Sequence, residues 1–277
     1  AKDTLVPDHV LALLGGGEVG LPEGRDVREP VYGAPARWVP LARQEDMALA
    51  GATIIGPTEV LATHLLEVIK RNFARLLSLR AVRRLLDESV NLSDPGRSEA
   101  NRKLFDELIP DKVPVDVLLS VLRLLLEERV SIRNLPLILE AISEGRGAGA
   151  PEAICEFVRR RLGFQLVADA RRQDGTIPLL QLAPEWEDTF IAHQIDGDRG
   201  QVDVALPPDT FNRLALNVAD RITSTGEKGI FPAVVTSARR RRFLRTVLSA
   251  KGISTPVLSY DEIGLDAQPS IVGLVPI

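Results

Sequence analysis

The stretch AVVTSARRRRFLRTVLSAKGISTPVLS, residues 233–259, decides the fold class of this 277-residue chain. It holds two short apolar runs, Ala233–Val235 and Pro256–Ser259, on either side of a segment with helical spacing. Ser237 suits the N-cap of that helix, and Gly252 suits its end. Strand, helix and strand in this order predict a βαβ unit whose two strands are parallel. The C-terminal part of the chain is therefore expected to be an α/β fold.

The rest of the C-terminal region mixes strand and helix patterns. Apolar residues at every second position predict a strand at Phe164, Leu166 and Ala168. Asp174-Gly175 then predicts a hairpin turn before a second strand at Ile177–Leu182. A last strand is expected at Ser270–Val275. These strands would extend the sheet of the βαβ unit.

The N-terminal region combines a strand pattern with a long helix. Ala52–Ile55 predicts a short strand, and apolar residues then recur at helical spacing, so Thr58–Leu77 predicts an amphipathic helix. The residues before Pro40 are rich in proline and glycine and predict a loop that contains Trp38. Loop aromatics beside prolines are common at recognition surfaces, and a small satellite core is the alternative.

The middle of the chain is predicted to be helical. Val115–Arg129 is dense in Leu and Val, and Pro151 starts a further helix that Gly163 is expected to end. Asn91–Lys112 instead carries Asp94-Pro95-Gly96 and many charges, which predicts a domain boundary or an exposed connection.

The composition is that of an ordinary globular protein. Hydrophobic residues make up 45% of the chain and charged residues 26%, which excludes wholesale disorder. The net charge of −4 creates no global field that would attract nucleic acid or anionic lipid. A single cysteine fits a reducing compartment, and no apolar run approaches the roughly 20 residues that a membrane span requires. A soluble, cytoplasmic piece is therefore expected.

Patterns that suggest small-ligand or metal chemistry are weak. Gly15, Gly17 and Gly20 have the spacing of a dinucleotide-binding turn, but Leu21-Pro22-Glu23-Gly24 follows them, so a flexible turn is favoured. The histidines are far apart in sequence and do not predict a zinc site: His9, His64 and His193. Cys155 lies within a helix, where a small apolar residue packs well.

Two charged clusters each have a structural and a functional interpretation. Glu185, Glu187 and Asp188 flank Trp186 early in a helix, where the dipole favours acidic groups; acid–base chemistry is the alternative. Arg239–Arg242 covers a full helical turn, which favours a solvated face, with protein docking and nucleic-acid binding as alternatives. Without a catalytic constellation, the chain is predicted not to be an enzyme and to need no cofactor or metal. An α/β enzyme that binds a nucleotide is the less favoured alternative.

Four segments, in order, resemble the FlhA/SctV family, the large inner-membrane subunits of type III export gates. They are EPVYGAPARWV at 29–39, GATIIGPTEVLATHL at 51–65, VLRLLLEERVSIR at 121–133 and PVLSYDEI at 256–263. The spacing between the first two agrees with the family without gaps. ATHL at 62–65 favours the flagellar (FlhA) branch over the virulence-type injectisome branch.

The resemblance implies a docking and gating domain on the cytoplasmic face of the bacterial inner membrane. In the family, a membrane region precedes the soluble part, which forms a ring of nine copies. The implied partners are export chaperone–substrate complexes, export ATPase components and the export-switch protein, with no nucleic acid. The implied fold is α/β (α+β), in several small subdomains: 1–7 with 57–90 as a remnant of the first α/β subdomain, 8–56 as an inserted small α/β subdomain, 91–163 as a helical subdomain, and 164–277 as a C-terminal α/β subdomain.

The resemblance also implies a chaperone-binding cleft between the first two subdomains. Carried over by position, its residues are Glu29, Pro30, Tyr32, Ile55 and Thr63. Tyr32 and Ile55 would supply apolar contact area, and Glu29 and Thr63 would supply orienting polar groups at the rim. The family has Asp and Phe at the positions of Glu29 and Tyr32.

Overall fold

The computed structural model describes residues 6–15, 22–29, 34–196, 202–264 and 266–277. The chain divides into an N-terminal unit, Ala1–Leu76, and a C-terminal unit, Leu77–Ile277. None of the helices in the described part of the chain has both the length and the apolar character that a bilayer crossing requires.

The N-terminal unit is built on an antiparallel sheet with the strand order β2-β3-β1-β4. Its strands are β1 (His9–Leu13), β2 (Arg25–Arg28), β3 (Pro35–Pro40) and β4 (Thr53–Ile55). A 3₁₀ turn at Leu41–Arg43 and helix α1 (Gln44–Leu49) connect β3 to β4, and helix α2 (Pro57–Leu76) follows β4. The predicted strand before Gly56 and the predicted long helix are both present.

The prediction of a loop as far as Pro40 was wrong for residues 35–40, which form strand β3. Pro35 and Pro40 occupy the two ends of the strand, where proline is tolerated better than in the middle of a sheet. Trp38, which is 1% exposed, packs with Leu11 on one face of the sheet, while Val39 faces the opposite side. Trp38 is therefore a core residue of a small sheet, as in the alternative interpretation.

The first half of the C-terminal unit is a helical layer around one large apolar cluster. Its helices are α3 (Leu79–Val90), α4 (Pro95–Leu108), α5 (Val115–Glu127), α6 (Leu135–Gly145), α7 (Pro151–Arg161) and α8 (Gly163–Ala170). Arg123 of α5 donates to the carbonyl oxygen of Leu77 at 2.8 Å, which fixes the chain entering α3 to this layer.

Helix α4 corrects the prediction of an exposed connection at Asn91–Lys112. Asp94 is its N-cap: the side-chain oxygen Oδ1 accepts from the amides of Gly96 at 2.9 Å and Arg97 at 3.2 Å. Pro95 stands at the first helical position, where its missing N–H costs nothing. Asp-Pro-Gly therefore begins a helix here, and Phe105 and Leu108 anchor it in the core.

Helix α8 corrects two further predictions, a strand at Phe164–Ala168 and a helix stop at Gly163. Gly163 is the first residue of α8, and a Cβ at this position would lie 2.4 Å from the backbone oxygen of Glu262. Glycine is needed because another segment of backbone passes so close. Asp174-Gly175 is accordingly not a hairpin turn, because it joins helix α8 to a strand; Asp174 Oδ1 accepts from the amide of Thr176 at 2.9 Å.

The second half of the C-terminal unit contains a parallel sheet with the order β10-β5-β8-β9. Its strands are β5 (Thr176–Leu182), β8 (Ala233–Thr236), β9 (Val257–Ser259) and β10 (Gln268–Val275). Helices α9 (Glu185–Ala192), α10 (Pro208–Gly226) and α11 (Ala238–Ala250) lie between them in sequence, and a small hairpin joins β6 (Gln194–Asp196) to β7 (Val202–Val204). The predicted βαβ unit, β8-α11-β9, is confirmed with parallel strands.

This sheet is covered on both faces, as parallel sheets usually are. Leu179 of β5 and Val235 of β8 join the cluster of the helical layer. The next residue along β5, Leu180, joins a second cluster formed with α9, α10 and α11. The α+β fold class is therefore confirmed, with the strands of the C-terminal unit between two layers of helices.

Candidate docking site and charge network

Glu29 directly follows strand β2 at one edge of the N-terminal sheet. It is 8% exposed, and its amide donates to the carbonyl oxygen of Ala34 at 2.8 Å. Pro30 and Tyr32, the neighbouring members of the predicted site, lie outside the described residues.

Ile55 ends strand β4 at the opposite edge of the same sheet. It pairs with Leu11 of β1 and is half-buried against the cluster that contains Trp38 and Val60. Because β2 and β4 are three inter-strand spacings apart, the two edges are separated by about 14 Å. Glu29 and Ile55 therefore belong to the same sheet, but they lie at opposite edges and do not contact each other.

Thr63 is exposed in the second turn of α2, close in sequence to the end of β4. Leu66, three residues further on, is its neighbour on the helix surface and is 50% exposed. The structure therefore places Ile55 at the β4 edge of the sheet, Thr63 on the helix that follows β4, and Glu29 at the β2 edge.

Helix α2 also carries exposed apolar side chains that are not members of the predicted site. They are Leu61, Leu65, Leu66, Val68, Phe73 and Leu76, which are between 41% and 58% exposed. Helical spacing in the sequence predicted an amphipathic helix, and the structure shows that Val60 of α2 enters the core around Trp38. Exposed apolar patches of this kind are typical of interaction sites.

Two of the four arginines in the α11 cluster are buried, which corrects the interpretation of the cluster as a solvated face. Arg240 is 1% exposed and Arg241 is 0% exposed, whereas Arg239 and Arg242 remain exposed. Arg240 donates from Nε and Nη2 to Glu187 Oε1 at 3.0 and 2.8 Å. The acidic group of α9 is therefore the partner of a buried arginine.

Arg241 bridges two carboxylates from the helical layer. Its Nη1 and Nη2 donate to Glu128 Oε2 and Oε1 at 2.6 and 2.9 Å, and its Nε donates to Glu156 Oε2 at 2.6 Å. A buried charge requires this degree of pairing to offset its desolvation. Because the partners are 113 and 85 residues away in sequence, no local pattern could reveal them.

Arg159 extends this charge network toward the sheet. Its Nη1 lies 3.2 Å from Glu128 Oε2, and its Nε lies 2.7 Å from Glu262 Oε1. Burial alone would raise the pKa of Glu128, but the hydrogen bond from Arg241 and the positive charges of Arg159, Arg241 and Arg245 outweigh burial, so its pKa lies below the ordinary value.

Cys155 faces the core beside this network. It is 3% exposed, and burial raises the pKa of its thiol to about 12. The thiol is therefore protonated at neutral pH, which suits a packing residue and not a nucleophile. Among the described residues, no group of three or more His, Cys, Asp or Glu side chains is arranged to hold a metal ion.

Solved structures share the fold of this chain. The chain superposes on the structure of the Chlamydia pneumoniae CdsV and CdsO protein complex with a TM-score of 0.74 and 22% identity, over 98% of this chain and 76% of that one. It superposes on the nonameric EscV cytosolic domain from the type III secretion system with a TM-score of 0.66 and 20% identity, over 99% and 78%. The fold is that of type III export cytosolic domains.

Sequence comparison gives the family. The FHIPEP family model matches residues 1–268, and the chain belongs to this family. The flagellar biosynthesis protein FlhA of Caulobacter vibrioides is 37% identical over 261 residues, which are 94% of this chain and 36% of that protein. The chain thus spans about a third of the length of this curated relative. The resemblance to the FlhA/SctV cytoplasmic domain is confirmed.

Proposed function

We propose that this chain is the cytoplasmic docking and gating part of a flagellar type III export gate. The observation that carries the proposal is the family match over residues 1–268 together with 37% identity to a FlhA. In the complete protein this part would lie on the cytoplasmic face of the bacterial inner membrane, tethered by a membrane region. The shared fold with type III secretion cytosolic domains supports the same role.

The docking site for export chaperone–substrate complexes consists of Glu29, Pro30, Tyr32, Ile55 and Thr63. Two properties of the N-terminal unit support this assignment. Thr63 and Leu66 are exposed side by side on α2, and Ile55 ends an edge strand beside that helix. An apolar centre with polar groups around it is the usual composition of a protein-binding surface.

The chain also assembles into a homo-oligomeric ring in this proposal. Support comes from the EscV cytosolic domain, which was solved as a nonamer. CdsV was solved with a partner, CdsO, which supports contacts with further components of the export machinery, here the ATPase components and the export-switch protein. Sedimentation velocity at increasing protein concentration tests the ring: species larger than a monomer support it, and a monomer at all concentrations up to the millimolar range contradicts it.

Calorimetric titration with a purified flagellar chaperone–substrate complex tests the docking site. Thr63→Arg places a long charged side chain on the proposed contact and is expected to weaken binding by about tenfold or more, as is Tyr32→Ala. Ala62→Arg is the matched control, because Ala62 is also exposed on α2 but, being the adjacent residue, points to a different side of the helix.

The outcomes separate the docking site from the general function. An equal loss of binding with Thr63→Arg and Ala62→Arg, or unchanged binding with both Thr63→Arg and Tyr32→Ala, would exclude the assigned site. Binding of virulence-type chaperones in place of flagellar ones would favour the injectisome alternative. Nucleotide-dependent thermal stabilisation, about 2.7 kcal/mol at 100 times the Kd, would favour the enzyme alternative.

A further inference from the structure

A cleft of about 420 Å³ opens at the carboxyl ends of β5 and β8 in the C-terminal unit. Its walls are residues 181–184, 186, 187 and 190 from the end of β5 and from α9, residues 235–237 and 239 from the end of β8 and the start of α11, and Tyr260 after β9. Open α/β sheets bind their ligands at this edge, and the volume falls in the range of small-molecule sites. The cleft shares no residue with the docking site in the N-terminal unit.

The start of α11 presents unpaired backbone donors at this cleft. Ser237 is the N-cap, but its side chain accepts no capping hydrogen bond. The amides of Arg240 and Arg241 both donate to the carbonyl oxygen of Ser237, whereas those of Ala238 and Arg239, the first two helical residues, precede any intrahelical acceptor. The helix has 13 residues, so its dipole adds a positive potential at this end.

Thr236 supplies a second and independent indication of a ligand. This last residue of β8 is 7% exposed, it lines the cleft, and its hydroxyl has no hydrogen-bond partner in the described part of the chain. Every fully buried side-chain N or O atom in the described part of the chain has a partner, so this unpaired hydroxyl must be accessible, and Thr236 is accessible at the cleft. A ligand oxygen in the cleft can take the place of water as its hydrogen-bond partner.

The charge of the cleft selects the chemistry of that ligand. Arg239 lines the cleft, is exposed, and forms no ion pair with any described residue. Glu187 is the acidic residue of the wall, and Arg240 neutralises it through the two hydrogen bonds to its Oε1. The guanidinium of Arg239 therefore makes the net charge of the cleft positive. Its planar set of N–H donors can bind both oxygens of a carboxylate or phosphate.

We propose that this cleft binds a small molecule through a phosphate or carboxylate group. The amides of Ala238 and Arg239, the hydroxyl of Thr236 and the guanidinium of Arg239 hold the anionic oxygens. Ala183 and Pro184 offer apolar surface to the rest of the molecule. The domain would then have a small-molecule binding site that is separate from its protein-docking surface.

Amide-resolved NMR of the whole chain tests this proposal, with inorganic phosphate and acetate as separate probes at constant ionic strength and sodium chloride as the reference. The amide signals of Ala238 and Arg239 are expected to move to saturation with one of the two anions and not with chloride. Arg239→Gln should weaken binding about tenfold and Thr236→Val several-fold. Arg242→Gln is the control, because Arg242 is exposed on the same helix but does not line the cleft.

Saturation by phosphate alone assigns a phosphate group, and saturation by acetate alone assigns a carboxylate. The proposal is overturned if neither anion produces saturable shifts at Ala238 and Arg239, or if chloride produces the same shifts. It is also overturned if Arg242→Gln weakens binding as much as Arg239→Gln, since the exposed charge of the helix would then act without the cleft. Arg239 is exposed, so its substitution tests the site without disturbing the fold.

Discussion

Arg159 and Glu262 form an ion pair that is almost completely shielded from solvent. Nε of Arg159 lies 2.7 Å from Oε1 of Glu262, and the two side chains are 3% and 1% exposed. The other carboxylate oxygen of Glu262 accepts from the amide of Ser259 at 2.8 Å. The pair therefore fastens α7 of the helical layer to the turn that follows β9 of the sheet.

Removing the charge of Glu262 should destabilise the C-terminal unit strongly. Glu262→Gln leaves Arg159 buried with one partner fewer, and breaking a buried pair in this way costs about 3 kcal/mol. Urea denaturation should show a lower midpoint with an unchanged slope. Glu88→Gln is the matched control, since Glu88 pairs with Arg84 on the exposed surface of α3 and should cost less than about 0.5 kcal/mol. Equal effects of the two substitutions would contradict a structural role for the buried pair.

Glu128 should make folding stability depend on pH in the acid range. Its pKa is lower in the folded state than the ordinary value of 4.5, so its ionised form stabilises the fold fully above that value. This stability is lost as the pH falls from about 4.5 through the lower folded-state pKa. Urea midpoints measured between pH 7 and pH 3 should therefore decline less steeply in Glu128→Gln than in the unmodified chain. Parallel curves for the two proteins would show that Glu128 does not contribute.

Gly163 should not tolerate a methyl group. Gly163→Ala would place Cβ 2.4 Å from the backbone oxygen of Glu262, and relieving that overlap should cost about 1–3 kcal/mol. Gly226, at the end of α10, has open space around it, so Gly226→Ala should be neutral or stabilise by up to about 1 kcal/mol. Thermal unfolding of the two variants checks the difference. A Gly163→Ala protein as stable as Gly226→Ala would mean that the turn after β9 moves freely.

Cys155 should be inert in the folded protein. Burial holds the pKa of its thiol at about 12, so little thiolate exists at pH 8 and reagents cannot reach the sulfur. Ellman's reagent is expected to react at the rate at which the C-terminal unit opens, and to react at once in denaturing urea. Fast reaction without urea would show that this part of the core is open to solvent.

Local patterns were sufficient where a few adjacent residues determine the element. The βαβ unit could be predicted because two apolar runs, an N-cap serine and a terminal glycine lie within residues 233–259. Helix α2 followed from spacing in the same way. Helix α4 was missed because Asp94-Pro95-Gly96 suits both a turn and a helix start, and only the capping bonds to Asp94 distinguish the two.

Features that depend on distant residues could not be predicted from one sequence. The burial of Arg240 and Arg241 rests on Glu187, Glu128 and Glu156, which stand on other helices. Gly163 looked like a helix stop because its close neighbour, the backbone of Glu262, is about 100 residues away in the chain. For the docking site, the resemblance supplied the residues, and the structure adds that Glu29 and Ile55 lie at opposite edges of one sheet.

Strand β5 gives alternate side chains to two different cores, with Leu179 on one side and Leu180 on the other. Neither layer of helices can separate from the sheet without exposing a face of the same strand. The packing of the α9–α11 layer is therefore linked to that of the α3–α8 layer through a single strand, and we expect the two layers to lose their packing together.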